Sequence, residues 1–314
     1  MNADPNTPTP TSLGWSPWLR LFRLPNLLTV PGDPLAGFLL ASGGRLDRSM
    51  LIPMLAMMGA SVCLYLFGLV HNDIVDLETD RAERPDRPLP SGQITMAQAK
   101  IAAFVMALLG IGLASIMGWG TLGVASLLAL VICSYNSCKS IYTMGLCRAL
   151  SLHLGVTASV ISKPVDFVTG DTATIALVAI FAYTVAFSAV AKNEMAAEKP
   201  MGLKRWMPFV ALLVTLPCIL LTLGQTEGAA PTVAPTVFVI LMCMVLMWSW
   251  MLGGMLYSLQ PVTKTVAGHI RNLLLVQACL CVAAGDGDTG LFPALFLFAL
   301  WILFPRLAKR FYSS

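Results

Sequence analysis

The stretch from Met50 to Asp80 reads MLIPMLAMMGASVCLYLFGLVHNDIVDLETD and changes character at His71. The residues before His71 are almost all apolar and are numerous enough to cross the hydrocarbon core of a bilayer, which takes about 20 residues of helix. The residues after it include Asp73, Asp76, Glu78 and Asp80. An apolar helix that runs directly into an acidic segment predicts a membrane protein with a charged site at the membrane boundary.

Apolar segments of this length recur along the whole chain. Of the 314 residues, 57% are hydrophobic and only 11% are charged, which excludes a water-soluble globular domain. We predict an all-α fold, a polytopic bundle of transmembrane helices. The ten candidate spans lie near residues 24–43, 50–71, 97–117, 119–137, 146–164, 172–191, 206–224, 233–257, 266–284 and 290–307.

The domain organisation that follows is simple. Residues 1–19 are rich in Pro and Thr and are expected to form a disordered N-terminal tail, and residues 20–310 are expected to form one transmembrane domain. The first span is interrupted by Pro31, Gly32, Asp33 and Pro34. Asp33 is a charge within a membrane segment, which by default suggests a functional role.

Lysine and arginine predict the orientation, because cytoplasmic loops retain an excess of both. With the N-terminus inside and ten spans, seventeen basic residues lie on one side and three, Arg45, Arg48 and Lys163, on the other. This predicts a multi-pass protein of the inner (plasma) membrane whose acidic segment faces the cytoplasm. The net charge of +4 is spread over short loops, so the lipid bilayer is an expected partner and nucleic acid is not.

Three aspartates of the acidic segment fall at helical spacing. If the second span continues as a helix, Asp73, Asp76 and Asp80 occupy positions i, i+3 and i+7 on one face, with Asn72 beside them. Carboxylates this close repel each other unless a cation lies between them. Mg²⁺ is the expected ion because it prefers oxygen ligands and is commonly held by carboxylates together with substrate phosphates. Three neighbouring guanidinium groups can bind the remaining phosphate charge: Arg81, Arg84 and Arg87.

The alternative interpretation is a solvated cytoplasmic connector whose charges keep it out of the lipid. The concentration of charge argues against it, because six of the 16 acidic residues lie between Asp73 and Asp86.

The pattern Asn-Asp-x-x-Asp-x-x-x-Asp, from Asn72 to Asp80, resembles the first signature of the UbiA superfamily of intramembrane prenyltransferases. The sequences Arg87-Pro88-Leu89 and Ser91-Gly92 resemble the segment that follows it in that family. The resemblance implies a UbiA-like ring of nine transmembrane helices, here with an extra C-terminal helix. It also implies that Asn72, Asp73, Asp76 and Asp80 bind Mg²⁺ and the diphosphate of an isoprenoid donor.

Two further elements support this resemblance. Tyr135 and Lys139 lie one helical turn apart and resemble a family pair. Lys139 is expected to bind diphosphate, and Tyr135 to assist the leaving group or orient the acceptor, so both join Asp76 as expected catalytic residues. The alternative is an interfacial tyrosine with a cytoplasmic lysine, which is common in membrane proteins. Gly145, Arg148 and Ser151 resemble a Gly-x-x-Arg-x-x-Asn pattern, in which Arg148 contacts phosphate.

The loop after the sixth span departs from the family pattern. Most members carry there an aspartate-rich motif that holds a second Mg²⁺, whereas this chain has Glu194 and Glu198. These two glutamates are expected to bind the second ion and Lys192 to contact the diphosphate. In another alignment Ala191 and Met195 take the aspartate positions, and the loop is then polar with incidental charge.

The resemblance implies an enzyme that moves an isoprenoid chain from an allylic diphosphate to an aromatic or other lipophilic acceptor with Mg²⁺. Two alternatives remain open at this point. One is a membrane terpene cyclase of the same superfamily, which ionises the donor without an external acceptor. The other is a catalytically lapsed binding or transport protein, which the altered second motif and Asp33 favour.

Overall fold

The computed structural model describes residues 17–162, 170–192, 202–223, 233–284 and 288–312, and all regular structure in these residues is helical. The first half contains α1 (Pro17–Leu21), α2 (Leu24–Leu27), α3 (Gly32–Ser42), α4 (Arg48–Val75), α5 (Leu77–Glu83), α6 (Met96–Ser115), α7 (Trp119–Cys138) and α8 (Ile141–Ser162). The second half contains α9 (Gly170–Ala191), α10 (Met207–Leu223), α11 (Ala234–Gly253), α12 (Met255–Leu259), α13 (Val262–Ala283) and α14 (Leu291–Tyr312).

Eight helical segments of the described residues are long and apolar enough to cross a membrane. They correspond to the second through ninth predicted spans. The tenth corresponds to α14, whose apolar part, Leu291–Arg306, is shorter. The polytopic all-α fold is therefore confirmed, whereas the closed ring of nine helices stays a prediction.

The first predicted span is divided rather than continuous. The chain turns after α2, and the short helix α3 begins at Gly32, where the sequence Pro-Gly-Asp-Pro interrupts regular hydrogen bonding. All 11 residues of α3 are buried. A helix of this length rises only about 16 Å, so α3 reaches roughly half way across the bilayer and is enclosed by protein.

Close packing of α3 against α8 depends on two glycines. A side-chain carbon at Gly155 would lie 2.0 Å from the Pro34 carbonyl oxygen, and one at Gly37 would lie 2.1 Å from the Leu152 carbonyl oxygen. Small residues let helix backbones approach this closely inside a membrane. The contact fixes α3 in the interior of the molecule.

Two apolar cores meet at α3. One core lies among α4, α6, α7 and α8 and includes Phe38, and the other lies among α9, α10, α11, α13 and α14 and includes Leu39. Because Phe38 and Leu39 point to different cores, α3 joins the two halves of the bundle. The helix α13 is the most enclosed of the eight candidate spans, with 78% of its apolar window buried.

Candidate functional site

The three predicted aspartates lie where α4 passes into α5. The helix α4 ends at Val75, and Asp76 separates it from α5 with φ −86° and ψ 4°. Backbone hydrogen bonds from Asp76 N to Asn72 O (2.9 Å) and from Asp80 N to Asp76 O (2.8 Å) continue the helical path across this junction. Asp73 and Asp80 are only 4% and 3% exposed, whereas Asp76 is half-buried.

Each of these carboxylates contacts a basic side chain. Arg23 Nη2 donates to Asp73 Oδ1 at 3.1 Å, and Arg87 Nη1 donates to Asp80 Oδ2 at 2.6 Å. Arg87 also lies 3.9 Å from Asp73 Oδ1 and therefore bridges the two buried carboxylates. Such pairing compensates for the desolvation of the buried charges.

The third carboxylate takes a different partner. Lys139 Nζ lies 2.9 Å from Asp76 Oδ2 and also donates to Asn72 Oδ1. Asn72 Nδ2 in turn donates to Asp76 Oδ2 at 3.0 Å. Asn72, Asp76 and Lys139 thus form a second polar group beside the first.

The expected convergence of three carboxylates on one ion is therefore not what the structure shows. Asp73 and Asp80 share Arg87, while Asp76 is drawn to Lys139. Within the part of the chain that the structure describes, no three acidic, histidine or cysteine side chains are grouped closely enough to hold a metal. The reason is the position of the basic side chains, because Lys139 at the end of α7 binds Asp76 while Arg87 binds Asp73 and Asp80.

The arginines that follow the aspartates do not behave alike. Arg81 and Arg84 are exposed, and Arg81 Nη1 bonds Glu78 at 2.7 Å, so the structure does not place either beside the aspartates. Arg87 reaches them because its loop is folded: Ser91 Oγ donates to the Arg87 carbonyl at 2.7 Å, and Leu89 and Ile94 are buried. The turn therefore brings Arg87, rather than Arg81 or Arg84, to the aspartates.

Arg23 is a site residue that the sequence reasoning did not identify. Among the described residues, only Arg23 (φ 45°) and Lys139 (φ 50°) are non-glycine residues with positive φ. This left-handed conformation is unfavourable for residues with a side chain and tends to occur at functional sites. Both residues contact motif aspartates. In the sequence, the sign of a turn at Arg23 is Pro25, which lies at the start of α2 in the broken first span.

A cavity of about 360 Å³ opens beside these charges. Arg23, Asn72, Tyr135 and Asn136 supply polar groups to its wall. Along α4 the wall runs from Asn72 to Ser61, a depth of about 16 Å at the rise of an α-helix. The apolar wall comes from several helices and contains Leu69, Leu128, Ile132, Phe187, Ile270 and Leu273.

Arg148 lies on this wall but its guanidinium group contacts protein. Its Nε lies 3.0 Å from Asp33 Oδ2, and its Nη2 donates to the Thr29 carbonyl at 3.1 Å. Gln277 Nε2 donates to the same carbonyl and to Asp33 Oδ1 at 2.6 Å. The intramembrane charge of Asp33 therefore has a structural partner, and the broken first span is tied to α8 and α13.

The second acidic motif is only partly described. Lys192 is exposed just after the end of α9, and its backbone N donates to Ser188 O at 3.1 Å. Glu194 and Glu198 lie outside the described residues, so their assignment as metal ligands stays a prediction.

Several similar proteins share a name. A protein of Methanocaldococcus jannaschii named digeranylgeranylglyceryl phosphate synthase is 36% identical over 96 residues, which are 30% of this chain and 32% of that protein. A protein of the same name from Sulfolobus acidocaldarius is 27% identical over 150 residues, 45% of this chain and 52% of that protein. The chain thus spans between a third and a half of the length of these curated relatives.

Solved structures share the fold. A UbiA homologue from Aeropyrum pernix K1 superposes with a TM-score of 0.63 at 14% identity, covering 82% of this chain and 97% of that one. A UbiA homologue from Archaeoglobus fulgidus bound to GPP and Mg²⁺ gives a TM-score of 0.51 at 14% identity, covering 84% of this chain and 100% of that one.

Residues 34–260 match the family described as the UbiA prenyltransferase family. Because this match covers most of the chain, the protein belongs to the UbiA prenyltransferase family.

Proposed function

We propose that this protein is a Mg²⁺-dependent intramembrane prenyltransferase that moves an isoprenoid chain from an allylic diphosphate to a lipophilic or aromatic acceptor. One observation carries the proposal. Three aspartates are paired with Arg23, Arg87 and Lys139. This charged group adjoins a deep, mostly apolar cavity, because Arg23 and Asn72 belong both to the group and to the cavity wall. The charged mouth suits a metal-bound diphosphate, and the apolar wall suits an isoprenoid tail.

The side chains at the mouth fit Mg²⁺. The ion takes oxygen ligands, usually one or two carboxylates plus phosphate oxygens and waters, so it does not require three converging carboxylates. Asp73 and Asp80 form one buried pair of oxygen ligands, and the half-buried Asp76 and Asn72 form a second pair. We assign these four residues as the magnesium ligands, and magnesium when bound would neutralise charge on the diphosphate.

The protein's own cations then hold the diphosphate. Lys139 and Arg23 each contact a motif aspartate, so both can turn from carboxylate to phosphate oxygens. Arg23 lines the cavity, and Lys139 is bonded to Asn72, which also lines it. Tyr135 lines the same cavity, where its hydroxyl can orient the leaving group or the acceptor. We retain Arg148 as a wall residue and Lys192 as a candidate phosphate contact, and give Arg81 and Arg84 the weaker role of attracting the donor to the membrane surface.

The apolar wall has a chemical role. Ionisation of an allylic diphosphate produces a cation that water destroys, and a site that excludes water protects it. Leu128, Ile132 and Leu273 line the cavity within the bundle. This requirement explains why the reaction takes place inside a membrane protein.

The proposed acceptor is a lipophilic molecule that enters the same cavity. The relatives are named digeranylgeranylglyceryl phosphate synthase, so we include geranylgeranyl diphosphate and isoprenoid glyceryl phosphates among the first substrates to be tested. We place the site on the cytoplasmic side because the charge distribution gives that side most of the basic residues.

The replacement Asp76→Asn tests the metal assignment. It removes one charge from the site at nearly constant volume, and we expect turnover to fall on the order of 100-fold. Glu78→Gln is the matched control, because Glu78 lies in the same segment but its side chain is 83% exposed and bonds the exposed Arg81. The measurement is transfer of labelled isoprenoid from a panel of allylic diphosphates to lipid acceptors, followed by mass spectrometry.

Magnesium dependence belongs to the same experiment. Chelation should abolish diphosphate release by the wild-type protein, and added Mg²⁺ should restore it. Wild-type turnover in Asp76→Asn would refute the metal assignment. A cyclised hydrocarbon formed from donor alone would show a cyclase, and flux across proteoliposomes without diphosphate release would show a transporter.

A further inference from the structure

We propose that Phe187 is a catalytic residue whose ring stabilises the allylic cation, held in place by Tyr183 and His269. The inference rests on the proposed function, because it names a residue for the same reaction. Phe187 lines the cavity and is only 4% exposed. It lies outside the segments of this chain that resemble UbiA motifs.

The level of Phe187 within the bundle is the first argument. The helices α4, α7 and α9 run in the same direction through the membrane, because one spanning helix, α6 or α8, returns the chain between each of them and the next. Asn72 and Tyr135 lie three residues before the ends of α4 and α7, and Phe187 lies four residues before the end of α9. All three are therefore about one turn from the same end of the bundle. That is the level at which the first carbon of the donor must lie, directly below its diphosphate.

The packing of the ring is the second argument. Phe187 stacks on His269 with 6.4 Å between ring centres and 6° between planes, and it meets Tyr183 edge-on at 5.4 Å. These two contacts hold the phenyl ring in one position at the wall of the cavity that it lines.

A buried polar network fixes the two supporting rings. Tyr183 Oη lies 3.1 Å from His269 Nδ1, and Asn272 Nδ2 donates to Tyr183 Oη at 3.2 Å. All three side chains are fully buried. Polar groups in such surroundings hold a defined geometry because breaking their hydrogen bonds is costly. Tyr183 and His269 are therefore positioning residues for the ring of Phe187.

The ionisation step of the proposed reaction creates a positive charge that an aromatic ring can stabilise. The bond between the first carbon of the donor and the diphosphate oxygen breaks with both electrons leaving on the diphosphate, and positive charge spreads over the allylic carbons. The face of an aromatic ring attracts a cation, more strongly where water is excluded. The cation is consumed when the nucleophilic atom of the acceptor donates an electron pair to that carbon, and the proton released by the acceptor passes to the diphosphate. Capture by water instead yields an isoprenoid alcohol.

The substitutions Phe187→Leu and Phe187→Tyr separate ring electronics from apolar packing. Leucine keeps an apolar side chain without the ring, and we expect kcat to fall about ten-fold, with the donor KM changed less than about two-fold. The share of isoprenoid alcohol among the products should rise, because a less stabilised cation is less well held for the acceptor. Phe187→Tyr should retain kcat within about three-fold, and Phe104→Leu, on the exposed face of α6, should match the wild type.

The result that would overturn the inference is a Phe187→Leu variant with wild-type kcat and product ratio, or a Phe187→Tyr variant as slow as Phe187→Leu. If Phe187→Leu lowers Tm in detergent, Phe187→Met is used as the ring-free variant instead. The ratio of alcohol to transfer product formed by its folded fraction then tests the role of the ring. Failure of the proposed function looks different, because wild-type protein and Phe104→Leu would then form no transfer product at all.

Discussion

Lys139 caps the end of α7 in a left-handed backbone conformation, with its backbone N bonded to Tyr135 O at 2.7 Å. A residue with a side chain pays roughly 1–2 kcal/mol for this conformation, whereas glycine adopts it freely. The conformation turns the chain so that the ammonium group reaches Asp76. Strain at this position is therefore linked to the geometry of the proposed diphosphate site.

Replacement of Lys139 by glycine and by alanine should separate stability from function. Both variants lose the contact with Asp76, but only Lys139→Gly removes the backbone strain. We expect the free energy of unfolding of Lys139→Gly to exceed that of Lys139→Ala by about 1 kcal/mol, and its unfolding temperature to be higher. Both variants should lose transfer activity on the order of 100-fold. Thermal unfolding in detergent and donor turnover measure the two effects. Equal stability of the two variants would contradict the strain argument.

The helix α3 shows how one element can depend on another for its position. Its 11 residues are buried, and it reaches the centre of the bundle only because Gly37 and Gly155 remove side chains from the contact with α8. The same contact places Thr29 and Val30, just before α3, on the cavity wall. The wall therefore depends on a helix pair outside the charged mouth.

The substitution Gly155→Ala tests this dependence. Its added carbon would lie 2.0 Å from a backbone oxygen, so the helices must separate, at a cost of about 1–3 kcal/mol. Gly112→Ala is the matched control, because Gly112 lies within the spanning helix α6 and an added carbon there meets nothing within 4 Å. We expect Gly155→Ala to lower Tm by several degrees and to raise the donor KM. A Gly155→Ala variant with the Tm of Gly112→Ala would show that the close contact is unimportant.

For the whole molecule, the sequence predicted the features that depend on local composition and spacing, namely the spanning helices and the charged motif. Hydrophobic length identified the spanning helices, and helical spacing together with the family resemblance identified Asp73, Asp76, Asp80 and Lys139, which the structure brings to one end of the bundle. It did not predict Arg23, because that residue lies 50 positions from Asp73 and meets it only after folding.

Other features depended on backbone geometry that spacing does not contain. The sequence gives no means to rank Arg81, Arg84 and Arg87, whereas the turn closed by Ser91 brings Arg87 to the aspartates. The expected convergence of three carboxylates followed from helical spacing, which does not show that Lys139 binds Asp76 while Arg87 binds Asp73 and Asp80. Likewise, the wall residue Phe187 resembles any apolar residue of a membrane helix until its neighbours are known.

Sidedness is the property of the whole molecule that remains to be tested. The distribution of basic residues predicts that the α5 segment faces the cytoplasm and that the turn between α6 and α7 faces the opposite side. Glu83 is exposed at the end of α5, and Trp119 is 87% exposed at the start of α7, so both sites suit a single cysteine in a background that lacks the eight native ones. A membrane-impermeant maleimide should label Trp119→Cys in intact cells and Glu83→Cys only after permeabilisation. Labelling of Glu83→Cys in intact cells would place the aspartates, Lys139 and the mouth of the cavity on the opposite side, and the donor would then have to be supplied from there.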